Sequence, residues 1–108
     1  MSAFAVRTGR PQPHPDCRDA LAWHDTRTDT IVRWEPTHLA VGEPAFAPDP
    51  RSDAPDRGWW LIFATRFSTG ESSLLVIPAA DPAAGPVATV RMPVRVPLGL
   101  HGNWLPTR

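Results

Sequence analysis

Apolar and polar positions along this chain alternate in short runs, none longer than a strand. Ala20 to His24 reads Ala-Leu-Ala-Trp-His and Thr30 to Trp34 reads Thr-Ile-Val-Arg-Trp. Between them, Asp25-Thr26-Arg27-Thr28-Asp29 offers side chains that bond nearby backbone groups in tight turns, so the stretch predicts a hairpin. Glu35 to Val41 reads as a loop, Pro44 to Ala47 as a short strand, and Pro48 to Arg57 as a proline-bearing, charged loop. Gly58 to Phe67 is the strongest strand in the chain, and its Trp-Trp-Leu-Ile-Phe-Ala core is a near-continuous apolar run. Such a run argues for a strand covered on both faces, which a chain of 108 residues would struggle to provide alone. Ser68-Thr69-Gly70-Glu71 turns the chain, and Ser72 to Pro78 returns as the second arm of another hairpin. Asp81 and Pro82 open a segment of about one helical turn. Val87 to Arg91 is the last clear strand.

Short strands separated by turn chemistry predict an all-β fold built from antiparallel hairpins: a sandwich, a barrel or a propeller. Pattern alone does not choose among the three. Residues 1–18 hold Pro11, Pro13 and Pro15 with Gly9 and scattered charge, and are expected to be extended or disordered without packed structure. The β region is expected to span residues 19–108.

Composition narrows the picture. The 14 prolines and 7 glycines speak against long helices, and an apolar share of 42% is adequate for a folded core. Eleven acidic residues balance eleven basic ones, all of the latter arginine, so nothing in the composition points to the basic stripe that drives phosphate binding, and nucleic acid is not expected as a partner. Cys17 is the only cysteine, which rules out an internal disulfide and fits a reducing compartment. Neither a signal-peptide pattern nor a run of about 20 apolar residues is present, so the expectation is a cytoplasmic chain without a transmembrane segment.

Candidate chemistry lies near the end, in Pro93-Val94-Arg95-Val96-Pro97-Leu98-Gly99-Leu100-His101-Gly102-Asn103-Trp104. An imidazole flanked by small glycine neighbours is displayed on nearly bare backbone, as a ligand for a transition metal would be. His14 between two prolines, His24 at the entry to a turn and His38 in a loop read instead as surface residues.

Three further stretches precede that histidine in order: Gly42-Glu43-Pro44-Ala45-Phe46-Ala47-Pro48, Gly58-Trp59-Trp60-Leu61-Ile62-Phe63-Ala64, and Ser73-Leu74-Leu75-Val76-Ile77-Pro78-Ala79-Ala80-Asp81. Closed by Val90-Arg91-Met92-Pro93 and the His-Gly-Asn-Trp run, they resemble the C-terminal end of the carotenoid cleavage oxygenases, from about Asp19 to Trp104. The resemblance implies the C-terminal blade region of a seven-bladed β-propeller, with Fe(II) on the axis held by four histidines. His101 would be one of those ligands. Glu43, in the Glu-Pro pair, would be a carboxylate that accepts the second N–H of a ligand histidine and so fixes its tautomer.

The implied reaction is cleavage of a conjugated carbon-carbon double bond of a carotenoid, apocarotenoid or stilbene by O2, with an apolar polyene as substrate. The blades carrying the other three histidines would lie before residue 1. Fe(II) is therefore expected only in a complete site, and this chain is expected to be inactive alone. Two partners are implied: a propeller remainder encoded upstream, or another copy of the chain through self-association. The alternative is a small β binding module without metal chemistry.

Overall fold

The structure, a computed structural model, describes residues 2–11, 17–54 and 57–94. Eight strands and one 3-10 turn make up its regular elements among the described residues. They form two antiparallel sheets packed face to face around one core.

The smaller sheet joins β1 (Ser2–Val6), β2 (Ala20–Asp25) and β3 (Thr30–Trp34) in that order. The hairpin expected from Ala20 to Trp34 is present, and Asp29 at its turn takes φ +54°. Strand β1 differs from expectation. Residues 1–18 were expected to lack packed structure, yet Ser2–Val6 pairs along its whole length with β2. The reason is local alternation: Ala3 lies opposite Trp23 and Ala5 opposite Leu21, so small side chains leave room for large ones on the covered face. The prolines that suggested disorder begin only at Pro11, after the strand has ended.

In the larger sheet the order is β4 (Leu39–Val41), β6 (Gly58–Arg66), β7 (Ser72–Pro78) and β8 (Ala88–Arg91), with β5 (Ala45–Pro48) also paired to β6. Strand β4 falls where a loop was expected from Glu35 to Val41. Three residues are short for a sequence signal, and the strand exists because β6 offers a free edge. Since β4 and β5 lie end to end on that edge, the sheet is in effect a four-stranded antiparallel meander, the unit from which propeller blades are built. One turn of 3-10 helix, Pro82–Ala84, links β7 to β8.

Ala5, Leu21 and Trp23 of the smaller sheet form one buried cluster with Val41, Trp60, Ile62, Ala64, Leu75, Ile77 and Ala79 of the larger one. Leu21, Ile62 and Ile77 are fully buried, and each contributes about 1.5–3 kcal/mol by leaving water. Two glycines make the close approaches possible. A Cβ on Gly58, at φ +154°, would lie 2.2 Å from the Ala47 carbonyl oxygen, so only glycine lets β5 pair at that corner. Gly85, at φ 85° and ψ −167°, sits in a region essentially reserved for glycine. There an added Cβ would lie 2.8 Å from Trp34 Nε1.

Candidate functional site

Glu43 owes its position to a break in the strand. Val41 faces Ala64 and Ala45 faces Leu61, so the three residues 42–44 stand opposite only the two residues 62–63 of β6. That extra residue makes a β-bulge, a device that locally re-aims a side chain. The Gly42 N–H donates to the Phe63 carbonyl at 2.9 Å and keeps the bulge on the sheet, while Pro44 has no N–H to pair. Glu43 is exposed and has no side-chain hydrogen bond or ion pair among the described residues. Its carboxylate is free to meet a group from outside.

His101 lies outside the described residues, as do His14 and Trp104. The two described histidines are not brought together with Glu43 as a ligand set. His24 stands at the end of β2, half-buried, with Nε2 3.0 Å from Asp29 Oδ1, so the turn already engages that nitrogen. His38 is exposed just before β4, and its backbone carbonyl accepts the Phe67 N–H at 3.0 Å. Among the described residues no three His, Cys, Asp or Glu side chains converge as a metal site. The described part of the chain therefore does not by itself fit an iron ion.

One polar cluster escaped the sequence reading. Asp19, only 2% exposed, accepts the Thr8 backbone N–H at 2.8 Å and the Thr8 hydroxyl. Arg10 Nε lies 3.6 Å from the same carboxylate and donates to Thr8 Oγ1 at 3.0 Å. Burial pushes the Asp19 carboxyl up, but the Thr8 donors and the Arg10 charge outweigh it and hold the group below its ordinary value of 3.8. A carboxylate so occupied is a clasp between the two ends of the β1–β2 connection, not a base or a ligand. An aspartate immediately before an apolar strand, with Thr-x-Arg just after another, was the available signal.

Trp60 belongs to the core at 8% exposure, with its ring 5.0 Å from that of Phe46. Trp59 points the other way and is half-buried. Cys17 is a half-buried free thiol. No helix among the described residues is long and apolar enough to cross a membrane.

These features define a class: a propeller-type antiparallel β unit with a carboxylate mounted on a bulge at its edge. Residues 2–106 match the family described as retinal pigment epithelial membrane protein, and the chain belongs to that family. A carotenoid cleavage oxygenase of Mycobacterium tuberculosis is 37% identical over 82 residues, 76% of this chain and 16% of that protein. An isoeugenol monooxygenase of Pseudomonas nitroreducens is 33% identical over 84 residues, 78% of this chain and 18% of that protein. Among solved structures, the lignostilbene dioxygenase of Pseudomonas brassicacearum superposes with a TM-score of 0.84 at 27% identity, over 96% of this chain and 23% of that one. The chain thus spans less than a fifth of the length of the two curated relatives.

Proposed function

We propose that this chain is the C-terminal blade region of a seven-bladed oxygenase propeller that cleaves a conjugated carbon-carbon double bond with O2, and that it needs further polypeptide to act. The observation that carries this reading is the superposition on lignostilbene dioxygenase, which takes in 96% of this chain but only 23% of the enzyme. The relatives support the substrate class: their names place carotenoids, isoeugenol and lignostilbene among the molecules acted on, each with a conjugated carbon-carbon double bond.

In the complete enzyme His101 would supply one imidazole to hold Fe(II), and the iron would supply the activation of O2. Glu43 acts at one remove. Carried out of the sheet by its bulge, it accepts the free ring N–H of a ligand histidine, which orients that ring and raises its basicity. A single histidine gives the isolated chain no useful hold on iron, so the chain alone is inactive.

The test is iron content after anaerobic Fe(II) loading and desalting. It compares the chain alone with a chimera in which the chain replaces the matching segment of the P. brassicacearum enzyme. About one iron per chimera and none on the free chain is the expected result. In the chimera His101→Ala should abolish retention, and Glu43→Gln should weaken affinity about 10- to 100-fold. A chimera that folds yet holds no iron would favour the alternative, a non-catalytic β module.

A further inference from the structure

The clasp at Asp19 reaches the bulge that carries Glu43. His38 accepts the Phe67 N–H through its carbonyl, and Gly42 donates its N–H to the Phe63 carbonyl, so alternate residues along β4 turn their backbone groups to β6. Val41 falls between them in that alternation. Its N–H points to the other edge, where the Arg18 carbonyl accepts it at 2.8 Å. Val41 is 2% exposed and is the last residue of β4 before the bulge.

The Arg18 carbonyl and the Asp19 N–H belong to one planar peptide group and point opposite ways. On one side that group donates to the Val6 carbonyl at 3.0 Å, and on the other it accepts from Val41, so it bridges the smaller sheet to the edge of the larger one. The buried Asp19 carboxylate fixes the bridge by holding the Thr8 N–H and hydroxyl. Arg10, which donates to Thr8 Oγ1, also reaches the start of the connection into β4: its Nη2 donates to the Pro36 carbonyl at 3.5 Å and lies 3.9 Å from Glu35 Oε1. The clasp therefore touches β4 from both ends.

Glu43 calls for such a brace. Its side chain has no partner among the described residues, and Pro44 has no N–H to give. The Val41 and Gly42 N–H bonds hold the bulge on its N-terminal side. An acceptor serves a fixed donor well only when its own support is held to within about 0.5 Å.

We propose that Asp19 is a positioning residue for the Glu43 carboxylate, setting through the Arg18–Asp19 peptide and Val41 the angle at which the bulge presents it. This rests on the reading of Glu43 as the acceptor for a ligand histidine, and it adds what keeps that acceptor aimed.

Two readouts test it. In the free chain, amide hydrogen exchange followed by NMR should be about 10-fold faster at Val41 and Gly42 in Asp19→Ala than in the parent, beyond any change at the amides that pair β6 with β7. Acceleration by one common factor at all of these amides would make Asp19 a residue of general stability and overturn the proposal. In the dioxygenase chimera described above, iron affinity is measured in a double-mutant cycle of Asp19→Ala with Glu43→Gln. Asp19→Ala should weaken affinity about 10-fold when Glu43 is present and have no further effect in Glu43→Gln. Where Glu43→Gln itself weakens affinity, equal losses in the two backgrounds, or no loss in either, would overturn the proposal.

Thr8→Val removes the hydroxyl from Asp19 and keeps the backbone N–H, and it carries both readouts if Asp19→Ala shows no cooperative thermal transition. The failures are distinguishable. Selective exchange at Val41 and Gly42, with iron affinity unchanged in Glu43→Gln, defeats only the role given to Glu43 in the proposed function. Iron affinity that depends on Glu43, without selective exchange, defeats only the brace.

Discussion

Ile62 and Phe63 are sequence neighbours of similar apolarity on the same strand, yet Ile62 is 0% exposed and Phe63 is 40% exposed. Their partners repeat the contrast. Ile62 stands opposite Leu75, which is 3% exposed, while Phe63 stands opposite Leu74, which is only half-buried. Strand propensity and pairing are the same on both faces. What differs is the presence of a second layer, so burial here is a property of the neighbouring sheet rather than of β6 itself.

Substitutions on the two faces should expose that difference. Ile62→Ala removes a fully buried side chain and leaves a cavity between the sheets, and should cost about 2–5 kcal/mol in urea unfolding of the free chain. A cost below about 1 kcal/mol would mean that the two sheets do not share a rigid core.

Asp19→Ala comes next. It strands the Thr8 donors at the margin of the smaller sheet, and about 1–3 kcal/mol should be lost. The pH dependence has a definite sign. Because the folded carboxyl lies below its ordinary value of 3.8, its contribution is fully present above that pH and is lost as pH falls through the lower folded value. Acid unfolding followed by circular dichroism should therefore be shallower in Asp19→Ala than in the parent chain. A parallel shift without a change of slope would remove the carboxylate from the account.

The smallest effect is expected on the open face. Phe63→Ser in the free chain should change stability by less than about 1 kcal/mol, since little cover is lost. The same substitution in the dioxygenase chimera should cost several times more. Equal costs in the two settings would erase the distinction between the faces.

Much of the fold was legible in the chain because its strands carry strong local signals. The Gly58 to Pro78 hairpin has long apolar arms around a Gly-bearing turn, and the structure bounds its second arm at Ser72–Pro78 as the sequence suggested. Two strands were not legible. Leu39–Val41 is too short to show periodicity, and Ser2–Val6 was masked by the proline-rich segment that follows. Both form because an adjacent strand offers unpaired backbone groups, and sequence windows do not register such non-local pairing. Of the candidate site, the Glu43-Pro44 pair was visible as a motif. Its bulge was not, because a bulge is defined by the register between two strands.

By itself the sequence determined an all-β chain, its two principal hairpins, its balanced net charge and the run whose apolarity demands two covers. Those features rest on local chemistry: side-chain branching, turn residues and the alternation of apolar positions. Only the tertiary structure decided that β4 and β5 form one bulged edge, that Asp19 is a clasp, and that Ile62 is buried while Phe63 is exposed. Each depends on residues far apart in the chain meeting in space. The physical reason is that a strand fixes the spacing of its side chains, while the layer that covers them is supplied by other parts of the polypeptide.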